Sequence, residues 1–175
     1  RKLRIHGMYG NPWLPVHRLY ALEKHNHQVL AHEIEAVRPD IIHVWNMGGI
    51  SKSLLLRIEK TGIPTVYDIS DHWIARSLRA DVWLSWWNAP GSFARSALRG
   101  LLTLTGIRRI LSNTVPTDSW DSIRFSKIYF CSAFMRDLTA SKGWRVGHAE
   151  VIHCGIETDA FPVKKDYARF EKLLW

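Results

Sequence analysis

Cysteine is scarce in this chain, with two in 175 residues, Cys131 and Cys154. Both end apolar runs and neither has the close paired spacing of a zinc site. A disulfide framework is therefore excluded, and both are expected as buried, reduced thiols of a cytosolic protein. Long uninterrupted apolar runs are missing too. The longest mostly apolar stretch, 93–111, contains Arg95, Arg99, Arg108 and Arg109, which a bilayer-crossing helix would rarely carry. No apolar segment follows the charged Arg1-Lys2-Leu3-Arg4, so no signal peptide is expected. Internal repeats and low-complexity tracts are absent. Acidic residues are in deficit, 16 against 24 basic ones, and the formal charge of +8 favours anionic partners. No recognition helix or known motif accompanies that charge, so nucleic acid is not an expected partner.

Tryptophan, by contrast, is abundant at nine residues. The cluster Trp83-Leu84-Ser85-Trp86-Trp87 beside a basic segment suits an interface with lipid or sugar. Trp83, Trp86, Trp87, Arg95 and Arg99 are the membrane-facing candidates, against the alternative that most of these rings are core. A helix from Ser92 places Phe93, Ala97, Leu98, Leu101 and Leu102 on one face. With Arg95, Arg99, Arg108 and Arg109 nearby, that face can lie on an anionic membrane or pack on a sheet.

The length suits one domain, and the patterning alternates helices with short apolar runs read as buried strands, the signature of an α/β fold. Apolar residues at helical spacing run from Val16 to Val37, and Arg38-Pro39-Asp40 stops them. Strands are predicted at 41–45, 65–69, 127–131 and 150–153. Helices are predicted at about 51–60, ended by Gly62, and at 133–142, capped by Ser132 and ended by Gly143. The stretch 70–90 has no period and is read as a functional loop or lid. Strands joined by helices run parallel, so a ligand crevice belongs at their C-terminal ends.

Those ends carry the candidate residues. Asn46-Met47-Gly48-Gly49 is a tight turn leading into a helix, where backbone N–H groups can hold an anion or a sugar hydroxyl, or simply reverse the chain. Asp68, Asp71 and His72, beside Trp73, can orient a hydroxyl nucleophile; alternatively Asp71 caps a short helix. His25, His27 and His32 lack metal-ligand spacing and are read as a solvated helix face, so no metal is expected.

Four segments taken together resemble the N-terminal domain of family 4 glycosyltransferases, retaining enzymes of the GT-B fold. Val151-Ile152-His153-Cys154-Gly155-Ile156-Glu157-Thr158-Asp159-Ala160-Phe161 is similar to the family's V-I-P-N-G-I-D-T-x-x-F. Arg38 to Asn46 resembles R-P-D-V-V-H-x-H-N, and Gly62 to Trp73 resembles G-I-P-V-V-x-T-x-H-D-x-W. Cys131-Ser132-Ala133-Phe134-Met135-Arg136, with Gly143 downstream, resembles V-S-x-F-x-R…G. The matches follow family order from Arg38 onward. In this chain Ser70 stands where the family usually has histidine, with His72 two residues on as the nearest substitute. Trp45 replaces the second histidine of the strand motif, and Glu157 replaces aspartate.

The resemblance implies a Rossmann-like parallel sheet flanked by helices, one half of a GT-B fold, with an acceptor-binding domain over 1–161. Residues 162–175 would be the linker and first strand of a donor-binding half. It implies transfer of a hexosyl unit, with retention, from a nucleoside-diphosphate sugar to a glycan or lipid-linked acceptor, without a cofactor. The donor would be gripped mainly by the other half, so the 175 residues alone are expected to be inactive. One sheet edge is expected to be open where the family's opening strand belongs. Asp71 is the expected catalytic residue. Asn46, Met47, Gly48, Gly49, Ser70, His72, Trp73, Ser132 and Arg136 are expected to bind acceptor, and Gly155 and Glu157 to form the donor-facing hinge. The expected compartment is the cytoplasm, at or near the inner face of the membrane. The competing expectation is a non-catalytic module that binds membrane or carbohydrate.

Overall fold

The fold was analysed in a computed structural model, which describes residues 2–4, 14–76, 81–155, 157 and 159. Helix α1 spans Val16–Val37 and buries Leu19, Glu23, Asn26, His27 and Val29, positions that recur at helical spacing. It ends at Arg38, whose left-handed backbone (φ 48°) lets its N–H donate to Ile34 O, and Pro39 bars continuation. Strand β1 (Ile42–Trp45) follows, then α2 (Ser53–Lys60), which starts two residues later than its pattern suggests. Gly62, at φ 71°, turns the chain into β2 (Thr65–Ile69).

Two further strands, β3 (Lys127–Phe130) and β4 (Glu150–Val151), complete an all-parallel sheet in the order β1-β2-β3-β4. The α/β class and the parallel sheet flanked by helices are as expected. Among the described residues β1 pairs with β2 alone. The register sets Val44, Tyr67 and Ile128 in one lateral row, and Trp45, Asp68, Tyr129 and Glu150 in the next. Successive strand residues point to opposite faces, so these rows lie on opposite sides of the sheet. The first side is core: Val44, Tyr67, Ile69, Ile128 and Phe130 are buried with Leu54, Leu55 and Ile58 of α2. The second side is open or half-open, bearing His43, Trp45, Asp68, Lys127, Tyr129 and Glu150. The strands are thus covered on one face, where buried strands were expected. Charged and polar residues at most of the positions on that side, with Val66 and Trp45 between them, are the physical reason.

The stretch 70–90 also departs from its expected loop. After a turn at 71–76 it forms helix α3 (Val82–Asn88), capped by Asp81, and buries Trp83, Leu84 and Trp87. The Trp83 indole N–H donates to Pro116 O at 2.7 Å, and its ring meets the Trp87 edge at 5.7 Å. Trp83 and Trp87 are core residues and cannot face a membrane. Helices α4 (Phe93–Leu104, capped by Ser92) and α5 (Ile107–Thr114) form a hairpin turned at Gly106, φ 74°, and bury no residue. Of the apolar face of α4, Leu102 packs against the core, while Phe93, Ala97, Leu98 and Leu101 are exposed. Helix α6 (Ala133–Ser141) has the predicted Ser132 cap, with Oγ accepting from the Met135 N–H, and Gly143 at φ 90° beyond its end. Cys131 is half-buried and Cys154 exposed, rather than buried, and both are free thiols. The expected linker and donor-side strand, 162–175, lie outside the described residues.

The division between α3 and the hairpin predicts opposite mutational costs. Trp83→Ala should destabilise by about 3–5 kcal/mol through loss of burial and a cavity. Phe93→Ala, at a fully exposed helix start, should stay within about 0.5 kcal/mol. Urea unfolding of both variants checks the contrast.

Candidate functional site

At the end of β1, Asn46 takes a left-handed backbone (φ 48°) and its Oδ1 accepts the Gly48 N–H at 2.9 Å. Gly49 follows at φ 72°. A Cβ on Gly48 would stand 3.0 Å from that Oδ1, so the turn suits glycine there. The N-terminus of α2 is where the sequence left open either an external anion or simple turn chemistry. Asp81 fills it from within: its Oδ2 accepts the Lys52 N–H at 2.6 Å, its Oδ1 accepts the Leu84 N–H at 2.8 Å, and the Ser51 hydroxyl lies 3.2 Å away. The Asn46–Gly49 segment is turn chemistry, and the anion belongs to the chain itself.

Beneath this loop runs a buried polar chain. Arg57 Nε donates to His27 Nδ1 at 3.0 Å, and His27 Nε2 lies 2.9 Å from Ser53 Oγ. Since Nδ1 accepts, the ring proton sits on Nε2 and points at Ser53. Ser53 and Ser51 hydroxyls are 2.9 Å apart, and the series ends on Asp81. Burial, then the Arg57 charge, lowers the His27 pKa to about 3. His27 is therefore a neutral core residue and not part of a solvated face; His25 is half-buried, with Nε2 3.1 Å from Lys2 O, and His32 is exposed. Lys52, 2 % exposed, lies in the same layer. Burial pushes its pKa down, while the carboxylates of Asp81, Asp71 and Glu23 act to hold it up.

On the open face the register brings together groups that sequence spacing keeps apart. Ser70 Oγ donates to Asp68 Oδ1 at 2.6 Å, and His43 Nε2 stands 3.9 Å from Asp68 Oδ2. The Tyr129 hydroxyl is 3.5 Å from the same His43 nitrogen. Desolvation, then the nearby Asp68 carboxylate, raises the Tyr129 pKa. Beside Asp68 stands Trp45, 63 % exposed. An aromatic plate next to a carboxylate, a hydroxyl, an imidazole and a phenol offers one apolar surface and several hydrogen-bonding groups.

The other expected site residues divide. Asp71 is half-buried and its Oδ1 accepts the Trp73 N–H at 2.8 Å, which makes it a cap of the 71–76 turn. Met47 and Trp73 are buried and present no side-chain surface to an acceptor. His72 lines a cavity of about 190 Å³ with Ala75, Arg76, Leu138 and Lys142, apart from the Asp68 group. A larger groove, about 470 Å³, is lined by Leu56, Glu59, Lys60, Asp118, Ser122 and Arg124, and α2 reaches it at its C-terminal end, away from the strand tips. Ser132 Oγ is taken by its cap, and Arg136 pairs with Asp137 at 2.9 Å. Gly155 and Glu157 are exposed beyond β4, with Ile156, Thr158, Ala160 and Phe161 outside the described residues. Trp86 is half-buried against Trp87 at 4.7 Å, and Arg95 and Arg99 are half-buried.

The sequence reading missed the roles of His43, Tyr129 and Lys52. His43 and Tyr129 had one available signal, polar residues alternating with apolar ones inside strands. Among the described residues no group of three or more His, Cys, Asp or Glu is placed to hold a metal. Compared with protein-family models, curated proteins and solved structures, the chain matches none.

The buried histidine sets a pH dependence. Unfolded His27 binds its proton below about pH 6.5 and the folded one only near 3, so stability is full above 6.5 and falls as pH drops through that window. Between pH 7.5 and 5.0 this site should remove about 2 kcal/mol. Denaturant unfolding at both values checks it, and His27→Gln should lack that increment.

Proposed function

We propose that this chain supplies the acceptor-side wall of a retaining glycosyltransferase, which moves a hexosyl unit from a nucleoside-diphosphate sugar to a hydroxyl of a glycan or lipid-linked acceptor. One observation carries the reading. The segments that resemble the family fall, in family order, on the C-terminal ends of four adjacent parallel strands, where open α/β sheets hold ligands. In this reading the acceptor sugar lies against Trp45, and Asp68 accepts a hydrogen bond from the attacking hydroxyl. Ser70 holds the carboxylate, with His43 and Tyr129 beside it. The acceptor oxygen bonds to the anomeric carbon as the bond to the diphosphate breaks, and the proton leaves with the nucleoside diphosphate. Asp71 acts one step back, holding the 71–76 turn. The reaction belongs in the cytoplasm, where Cys131 and Cys154 stay reduced.

Ligand-observed NMR with short oligosaccharides tests the acceptor site. Binding should weaken about tenfold or more in Asp68→Asn, which loses a charged acceptor, and in Trp45→Ala. Asp71→Asn should leave affinity unchanged while lowering the melting temperature. Nucleotide-sugar supplied to the 175 residues alone should not be turned over. Saccharide affinity indifferent to both Trp45 and Asp68 would overturn the assignment.

A further inference from the structure

We infer that the α4–α5 hairpin is a docking element for an anionic lipid surface. The inference goes beyond the acceptor-site reading and stands without it. Leucine or isoleucine recurs at every third position across the hairpin, as Leu98, Leu101, Leu104, Ile107 and Ile110, and each is exposed. Phe93 at its start is 90 % exposed and Leu104 beside the turn 88 %. These side chains run along α4, across Gly106 and along α5. So many exposed aliphatic side chains are unusual on a water-facing helix pair.

Charge identifies the occupant. No Asp or Glu stands between Asp81 and Asp118, while Arg95, Arg99, Arg108 and Arg109 all do. Three of these arginines tie the hairpin to the body through neutral acceptors. Arg99 Nη1 donates to the carbonyls of Trp87 at 3.0 Å and Ala89 at 2.8 Å, at the negative end of α3. Arg108 donates to Thr117 O at 3.0 Å and lies over the Trp87 ring at 5.3 Å, and Arg95 donates to Pro90 O. Bonds to carbonyls leave each guanidinium charge uncancelled. Arg109 is exposed on α5. The hairpin therefore presents apolar side chains inside a field of four positive charges with no acidic residue in the segment. That combination fits an anionic lipid surface, whose headgroups can take the basic side chains while the acyl region takes the apolar ones. No helix among the described residues is long and apolar enough to cross a membrane, so the contact is interfacial.

Co-sedimentation of the full chain with vesicles tests this, using phosphatidylcholine alone and phosphatidylcholine mixed with phosphatidylglycerol. Binding should favour the mixed vesicles and fall as salt is raised. Leu104→Ser combined with Ile110→Ser should cut the partition coefficient about tenfold or more. Arg109→Gln should cut it about fivefold on mixed vesicles and leave the weak binding to phosphatidylcholine unchanged. All three substituted positions are exposed, so circular-dichroism melts should match the parent chain. Absence of binding to mixed vesicles at low salt overturns the inference, as does binding that ignores the Leu104 and Ile110 changes. Gel filtration showing a dimer that buries the stripe and persists with vesicles overturns it too. None of these measurements reads sugar binding or transfer, so the two proposals fail separately.

Discussion

The Asp81 carboxylate, buried and shared between two helix starts, holds the rest of this structure in place. It receives the Lys52 N–H at the entry to α2 and the Leu84 N–H at the entry to α3, residues far apart in sequence. Both helix dipoles point their positive ends toward it, and the buried Lys52 side chain lies in the same layer. A buried carboxylate is tolerable only with such partners, and removing it would strand Lys52 in the core. By fixing α3, Asp81 places Trp83 and Trp87 in the core. By fixing the end of α3, it also places the carbonyls on which Arg99 anchors the hairpin. The apolar stripe and the strand-end loop are thus held by a common anchor.

The sheet separates two kinds of chemistry. Its covered side is aliphatic and aromatic, and α2 lies on it with leucines and an isoleucine at helical spacing. The open side repeats polar groups at the strand period. The hydrogen-bonded cluster stands there, on neighbouring strands near their C-terminal ends. The two sides need each other: only a tightly packed face holds the register rigidly enough to bring His43, Asp68 and Tyr129 from three strands into one group.

What could be read from the sequence was set by local chemistry. Helices α1, α2 and α6 show their period and their stops, Arg38-Pro39, Gly62 and Gly143, and Ser132 is a cap whose function depends only on the next turn. The parallel sheet follows from strands separated by helices. Helix α3 was not legible. It is short, crowded with tryptophan, and held by Asp81 contacts to Ser51 and Lys52 across the fold. Nor could sequence show that the N-terminus of α2 is filled by a side chain from a distant loop. Of the site, Asp68 and Ser70 were within view as neighbours, whereas His43 and Tyr129 join them only through strand register. Trp45 stood out as a departure from a family histidine and acquires its meaning from its exposure beside Asp68.

The open face also limits what can cover it. Laying an apolar helix over this face would strip water from Asp68, Glu150 and Lys127 without new partners, at a cost of several kcal/mol for each charge. A covering group must therefore bring its own donors and acceptors. Asp68 is already held by the Ser70 hydroxyl, with His43 and Tyr129 beside it, so a donor arriving at its remaining lone pairs meets a partly oriented carboxylate. Trp45 supplies the complementary requirement, an apolar plane against which a ring with C–H faces and polar edges can rest. A saccharide satisfies both conditions with one molecule. An apolar helix satisfies only the second, and a free anion would be repelled by Asp68 and Glu150.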